Sequence, residues 1–286
     1  MKIVLVYDTI IRPDTTGIYF RKAFEQLGCE VIHHAPLRQV GPTNFDFLGY
    51  ADLPTDADFI LQVDDDIAYP GPVETHPSAY YCIDTHRLDC LMGGGSRVDK
   101  AHGFDFVFSA QKDGVEILKA HGIAAQWLPL AYDPEAFYPN PEREKDLDWC
   151  FIGSMSPERK ALCESLAAIF PHGAFGMAHG AQMLNIYHRS RIILNLPVSN
   201  DINMRVFEAM GAGGLLVTRN THNGEAELFN SMVLYEQPEE LPDLLRGLLA
   251  DEPRRAALAA EQQRQVFERH SYLVRTKEIL ERVHST

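Results

Sequence analysis

Cysteine is scarce in this chain of 286 residues and does not pair by spacing. Cys29, Cys82, Cys90, Cys150 and Cys163 form no C-x-x-C, and their number is odd. Neither a disulfide framework nor a structural zinc site is indicated, so the five read as reduced packing residues. Long apolar runs are missing too. No stretch approaches the ~18 residues that a membrane-spanning helix needs, and Asp8 cuts the opening run Met1 to Tyr7 before it could serve as a signal peptide. No transmembrane segment is predicted, and the expected location is the cytoplasm. Positive charge is in deficit: 26 Lys and Arg face 40 Asp and Glu, a formal net charge of −14, which disfavours broad nucleic-acid or anionic-membrane binding. Residues 1–140 hold ten cations against twenty acids and residues 141–286 sixteen against twenty, so the second part is less hostile to a phosphate-bearing ligand. The common phosphate fingerprints are also absent. The loop DTIIRPDTTG at 8–17 lacks the ending of a P-loop and reads as a cleft-lining loop. No G-x-G-x-x-G follows either opening strand, which makes a NAD-dependent dehydrogenase a poor reading.

What is present is an alternation of apolar runs and helical patterns, with 45% hydrophobic residues, enough to fill the cores of two domains of ordinary size. The runs at 2–7, 29–34, 58–63, 79–84, 104–108 and 124–128 predict strands of one α/β domain, with helices at 18–27 and 112–121. Residues 36–57, rich in Pro, Gly and Asp, show little periodicity. Pro134, Pro139, Pro141 and the charged run 142–148 mark a linker. A second alternation opens with DWCFIG at 148–153, where Ser156 as cap and Pro157 in the first helical position start a helix.

The most informative stretch is RIILNLPVSNDINMRVFEAMGAGGLLVT, residues 191–218, which reads as strand, loop, helix, strand. Asp201 or Asn203 can cap the helix, and Gly211, Gly213 and Gly214 end it. Arg205 and Glu208, three apart, share a helix face. A cation in the first helical turn is disfavoured by the helix dipole, and an anionic ligand would reverse that cost. Arg205 can therefore hold a diphosphate by paired donors, while a carboxylate at Glu208 can accept from vicinal ribose hydroxyls. Amides at the helix start after Ser156, with Arg159 and Lys160, offer a second phosphate contact.

Two features of the first part invite other chemistry. Asp64, Asp65 and Asp66 end an apolar strand, a pattern that can hold Mn²⁺ or Mg²⁺ on a sugar nucleotide; a solvated strand-end loop is the preferred reading. Asp84 and His86 follow the strand at 79–84, at the end that faces the ligand crevice in an open parallel sheet. Gly93–Gly95 with Ser96 and Arg97 read as a turn.

The wording NMRVFEAMGAGGLLVT resembles the donor-binding segment of GT-B glycosyltransferases, and most nearly that of the CgeB-type, spore-maturation-protein-like branch. IDTH at 83–86 resembles a phrase of that branch's first domain, and WLPLAYDPEAFYP its exit from that domain. The resemblance covers nearly the whole chain. It implies an α/β protein of two Rossmann-like domains facing across a cleft: an acceptor-side domain at 1–140, a nucleotide-sugar-binding domain at 141–268, and a closing helix at 269–286 that returns to the first. The implied activity is that of a glycosyltransferase moving a sugar from a nucleotide-sugar donor to a hydroxyl acceptor, without a cofactor or divalent metal, and the resemblance to the wider family favours retention. The implied donor-binding residues are Gly153, Ser154, Arg159, Asn200, Asn203, Arg205, Glu208, Asn223 and Gly224. Arg205 is the principal catalytic group, with Asp84 and His86 toward the sugars. In the wider retaining group two Glu residues flank seven others; here Glu208 is the second, and the first position holds Asn200. A nucleotide-sugar epimerase of the same fold, or a non-catalytic binding or structural protein, stands as the alternative. The acceptor, whether glycan, protein or small molecule, is not named by the sequence.

Overall fold

The β-branched opening run forms β1 (Lys2–Val6), followed by α1 (Thr16–Gln26) and β2 (Glu30–His34). Two short strands, β3 (Leu37–Gln39) and β4 (Phe45–Phe47), precede β5 (Phe59–Val63) and β6 (Ser78–Cys82). Then come α2 (Arg97–Ala101), β7 (Phe106–Ser109), α3 (Lys112–Ala120) and β8 (Ala125–Trp127). These coordinates are a computed structural model that describes residues 1–10, 16–50, 53–69 and 73–285. The loop reading at 8–17 falls largely on residues 11–15, outside the described residues. The chain divides into two compact units, Met1–Pro129 with Tyr272–Thr286 and Leu130–Ser271.

In unit 1 the sheet order is β2-β1-β5-β6-β7-β8, with every neighbouring pair parallel. The central strands are covered on both faces, which is why β1 and β5 show no polar alternation, buried Gln62 being the one polar residue of β5. Val4, Val6 and Ile60 build one core with Leu37, Tyr50, Ile67 and Tyr69. The segment at 36–57, aperiodic in sequence, contains the antiparallel hairpin of β3 and β4, tied by Arg38 to Asp46 at 2.7 Å. Three-residue strands are too short for a period of two to be read.

Unit 2 repeats the plan with β9 (Leu147–Ile152), α4 (Pro157–Ile169), β10 (Gly173–Gly176), α5 (Gly180–Arg189) and β11 (Ser190–Asn195). It continues through α6 (Met204–Gly211), β12 (Leu215–Arg219), α7 (Glu225–Leu228), β13 (Val233–Tyr235), α8 (Leu241–Ala250) and α9 (Glu252–Arg269). The parallel sheet runs β10-β9-β11-β12-β13 over a core of Trp149, Phe151, Ile192, Leu194, Leu215, Val217 and Leu245. Gln262 of α9 completes an edge that no strand reaches. Its Oε1 accepts from the Leu216 amide at 2.8 Å, and its Nε2 donates to the carbonyls of Leu216 and Ser231. The final helix, α10 (Tyr272–His284), packs on α1 in unit 1, where the Tyr272 ring meets Phe20 edge-on at 5.1 Å. Both units are Rossmann-like, each an open parallel sheet alternating with helices.

Candidate functional site

In unit 2 the predicted residues gather at the carboxyl ends of β9 and β11, the edge where open parallel sheets bind ligands. Ser156 caps α4, its hydroxyl accepting from the Arg159 amide at 3.3 Å. The Arg159 guanidinium turns back to the loop after β9, donating to the Ser154 carbonyl at 2.9 Å and the Ser154 hydroxyl at 2.7 Å, and it also donates to the Leu196 carbonyl. Of the two possible caps on α6, Asn203 is the one that acts: its Oδ1 accepts from the Arg205 amide at 3.1 Å.

Arg205 lies across the end of β9. Its Nε donates to the Ile152 carbonyl at 2.6 Å and its Nη1 to Oδ1 of Asn195 at 2.8 Å. Gly153 makes room for it, since a Cβ there would sit 3.0 Å from the guanidinium carbon and nearer still to Nη2. Both guanidinium groups rest on the ring of Phe151, Arg205 at 5.0 Å from its centroid and Arg159 at 5.4 Å. Every hydrogen-bond acceptor just named is uncharged, and among the described residues neither arginine forms an ion pair. Burial, and then the neighbouring charge of Arg205, pull the Arg159 guanidinium below its ordinary value, while Asp201 opposes from longer range. Two guanidinium groups held on one ring by uncharged acceptors are chemically suited to an anion.

The other predicted residues of unit 2 frame this pair. Glu208 is buried on α6. Asn200 is exposed, and its carbonyl accepts from Nδ2 of Asn223 at 2.6 Å, so the loop after β12 holds the loop after β11. Gly224 takes the left-handed backbone (φ 105°) that starts α7, a conformation for which glycine is suited. Glu225 accepts from the Thr221 and Asn223 amides and fixes this turn.

Asp84 and His86 lie in unit 1, just beyond β6. The Asp84 amide donates to Oδ2 of Asp64 at 3.3 Å and its carboxylate lies 3.8 Å from Arg97 Nη2, while the His86 side chain is exposed. The reading of Asp64–Asp66 as a solvated loop is overturned. All three are buried against Arg97 and Lys100, which follow the glycine turn at 93–95 some thirty residues on. Burial pushes Asp64 up, but Lys100 and Arg97 outweigh it and hold the carboxyl well below its usual range. Burial raises Asp65 to about 6 against the pull of Lys100 and a hydrogen bond from Tyr69. The three carboxylates are thus paired with cations of the protein. Among the described residues no group of three or more His, Cys, Asp or Glu could hold a metal ion. A cavity of about 510 Å³ in unit 1 has Phe47, Tyr50, Tyr69 and Phe104 as walls and Lys100 at its lining; none of the predicted residues borders it.

The comparisons with known proteins agree with this geometry. Residues 160–281 match the glycosyl transferase-like family. No curated protein sequence matches the chain. Among solved structures, sucrose-phosphate synthase (tll1590) from Thermosynechococcus elongatus is similar with a TM-score of 0.66 at 11% identity, over 100% of this chain and 98% of that one. Alr3699/HepE of Anabaena, in complex with UDP and glucose, gives 0.67 at 13% over 100% of both. The β-glucosyltransferase of T4 phage gives 0.60 at 13% over 99% of both. The fold is that of the GT-B glycosyltransferases.

Two residues that contact Arg205 in unit 2 were not singled out from sequence. Phe151 reads as one more apolar residue of a buried strand, and no local signal marks it. Asn195 carried a signal, because a polar side chain ending the run IILN and only 1% exposed needs a buried partner.

Proposed function

We propose that the chain is a glycosyltransferase that binds the diphosphate of a nucleotide sugar between Arg159 and Arg205 and transfers the sugar to a hydroxyl acceptor. The observation that carries this reading is the pair of guanidinium groups on Phe151, at the carboxyl edge of a parallel sheet, with neutral partners only. As the bond to the sugar breaks, negative charge grows on the departing diphosphate. Fixed guanidinium groups meet it without reorganising and without requiring a metal. Glu208 and the 200–203 loop take the ribose and sugar side, and Asn223 with Gly224 closes the sugar pocket. Asp84 and His86 are candidates for contact with a sugar.

The match over 160–281 and the fold support the class of reaction. The phrases NMRVFEAMGAGGLLVT and IDTH favour the CgeB-type branch within it. UDP is the first nucleotide to try, because structures of the same fold hold it. A net charge of −14, with its surplus heaviest in residues 1–140, speaks for an acceptor other than a polynucleotide.

The test is a thermal-shift screen with UDP, GDP, dTDP, ADP, CMP and their sugars, since a ligand that prefers the native state raises its melting temperature. One diphosphate series should stand out. Arg205→Ala should remove its shift and lower donor turnover by roughly 10²–10³-fold with unchanged circular dichroism. An Arg205→Ala protein as active as the parent would refute the assignment. Nuclear magnetic resonance of the donor alone separates transfer from epimerisation, which would convert the sugar with no acceptor present.

A further inference from the structure

We infer that Asn195 is a positioning residue that holds Arg205 through an uncharged oxygen, leaving the whole guanidinium charge available to a diphosphate. The inference rests on the reading of Arg205 given above and extends it to a residue that no ligand need touch. Asn195 is the last residue of β11 and is 1% exposed. Its Oδ1 accepts from Nη1 of Arg205 at 2.8 Å and from Nδ2 of Asn203 at 3.1 Å, and its Nδ2 donates to Oγ1 of Thr218 at 3.1 Å.

The orientation of this amide is dictated by its neighbours. A guanidinium nitrogen and an amide nitrogen can only donate, so both must face Oδ1. The Thr218 hydroxyl donates toward the Arg219 carbonyl and keeps a lone pair for Nδ2. Asn195 therefore joins the helix cap at Asn203, the arginine of the next residue but one, and the neighbouring strand β12 into one part-buried network. The cap and the anion-binding group move together.

Charge makes the choice of asparagine informative. A carboxylate has nearly the same shape and would accept the same two hydrogen bonds, while the Thr218 hydroxyl could turn to donate to it. It would also sit 2.8 Å from a guanidinium in a buried setting, where a unit charge is felt far more strongly than in water. Arg205 would keep its place and lose most of its pull on a phosphate. Geometry and charge, which usually fail together, are separable at this position.

The experiment is calorimetric titration of UDP into the parent, Asn195→Asp and Asn195→Ala, with thermal melts of each protein and titrations at low and high salt. The Asp variant should melt at or above the parent's temperature yet bind UDP about ten- to a hundredfold more weakly, with a flatter salt dependence. The Ala variant should lose both stability and affinity. Affinity of the Asp variant within twofold of the parent overturns the inference. So does a loss of affinity in the Asp variant that merely tracks a fallen melting temperature, because that is what a purely structural residue would give. If the parent itself binds neither UDP nor inorganic pyrophosphate, the anion-site reading fails and takes this inference with it.

Discussion

Replacing Gly153 with Ala tests the site with a single methyl group. Gly153 follows β9 and lies outside the left-handed backbone region, so alanine meets no backbone strain there. What it meets is the Arg205 guanidinium, with the carbon at 3.0 Å and Nη2 closer, and the Phe151 ring at 3.4 Å. Phe151 is fully buried in the core and cannot retreat, so the guanidinium must. A displacement of about 1 Å is enough to spoil the 2.6 Å bond to the Ile152 carbonyl and the 2.8 Å bond to Asn195. Each such charge-assisted bond contributes on the order of 1.5–3 kcal/mol, and the lost ring contact adds about 0.5–2 kcal/mol. Partial recovery through water, because Arg205 is not fully enclosed, brings the expected destabilisation down to about 1–3 kcal/mol. A guanidinium moved off its diphosphate position should weaken UDP by about ten- to a hundredfold. Urea unfolding gives the first quantity and calorimetric titration the second. A Gly153→Ala protein that binds UDP as the parent does would mean that the Arg205 position is unrelated to the ligand, and the reasoning from geometry to diphosphate would be lost.

The remaining predictions concern the scaffold. Arg97→Met leaves buried Asp64 with Lys100 alone and Asp66 with Arg87 alone, and should cost about 3 kcal/mol in urea unfolding; a loss under 1 kcal/mol would show Arg97 to be dispensable. Asp65, raised from 3.8 to about 6, holds its proton in the folded state over a range where the unfolded chain has released it. Its contribution to stability is therefore complete below about pH 4 and is lost as pH rises through 6, by up to about 3 kcal/mol. Asp65→Asn should flatten the stability profile between pH 4 and 7, and an unaltered slope would contradict the assignment. Gln262→Leu strips the Leu216 amide and carbonyl of their partners at the edge of β12 and should lower stability by about 2–4 kcal/mol, read as a shift in urea midpoint at constant slope.

What was legible in the sequence is what a single stretch of chain decides. The strand, loop, helix and strand of 191–218 appear as β11, α6 and β12, because a buried parallel strand, a capped helix and a glycine exit each have a local signature. The start of α4 at Ser156 and Pro157 is of the same kind. Arg159 and Arg205 stood out because each sits in the first turn of a helix that follows a strand, which in a parallel sheet delivers both to one edge. Their approach to a shared ring was not legible. Phe151 and Asn195 lie away from Arg205 along the chain, and each is an ordinary residue until the sheet order β9-β11-β12 sets them beside it; Gly153 is named through the resemblance, but not for the room it gives the guanidinium.

The same limit explains the error at Asp64–Asp66. Three consecutive acids have the local signature of a solvated loop, and only the return of the chain through α2 supplies Arg97 and Lys100. The contrast between the two clusters is itself an argument about function. In unit 1 buried acids have drawn in cations of the protein, and the charges are largely matched. In unit 2 two cations are held by carbonyls, a hydroxyl and an amide, and on the function proposed above a diphosphate supplies the matching charge. Buried Arg255 in the same unit also donates only to carbonyls, those of Leu248 and Leu249, so what sets Arg159 and Arg205 apart is their pairing on one ring at the carboxyl edge of the sheet.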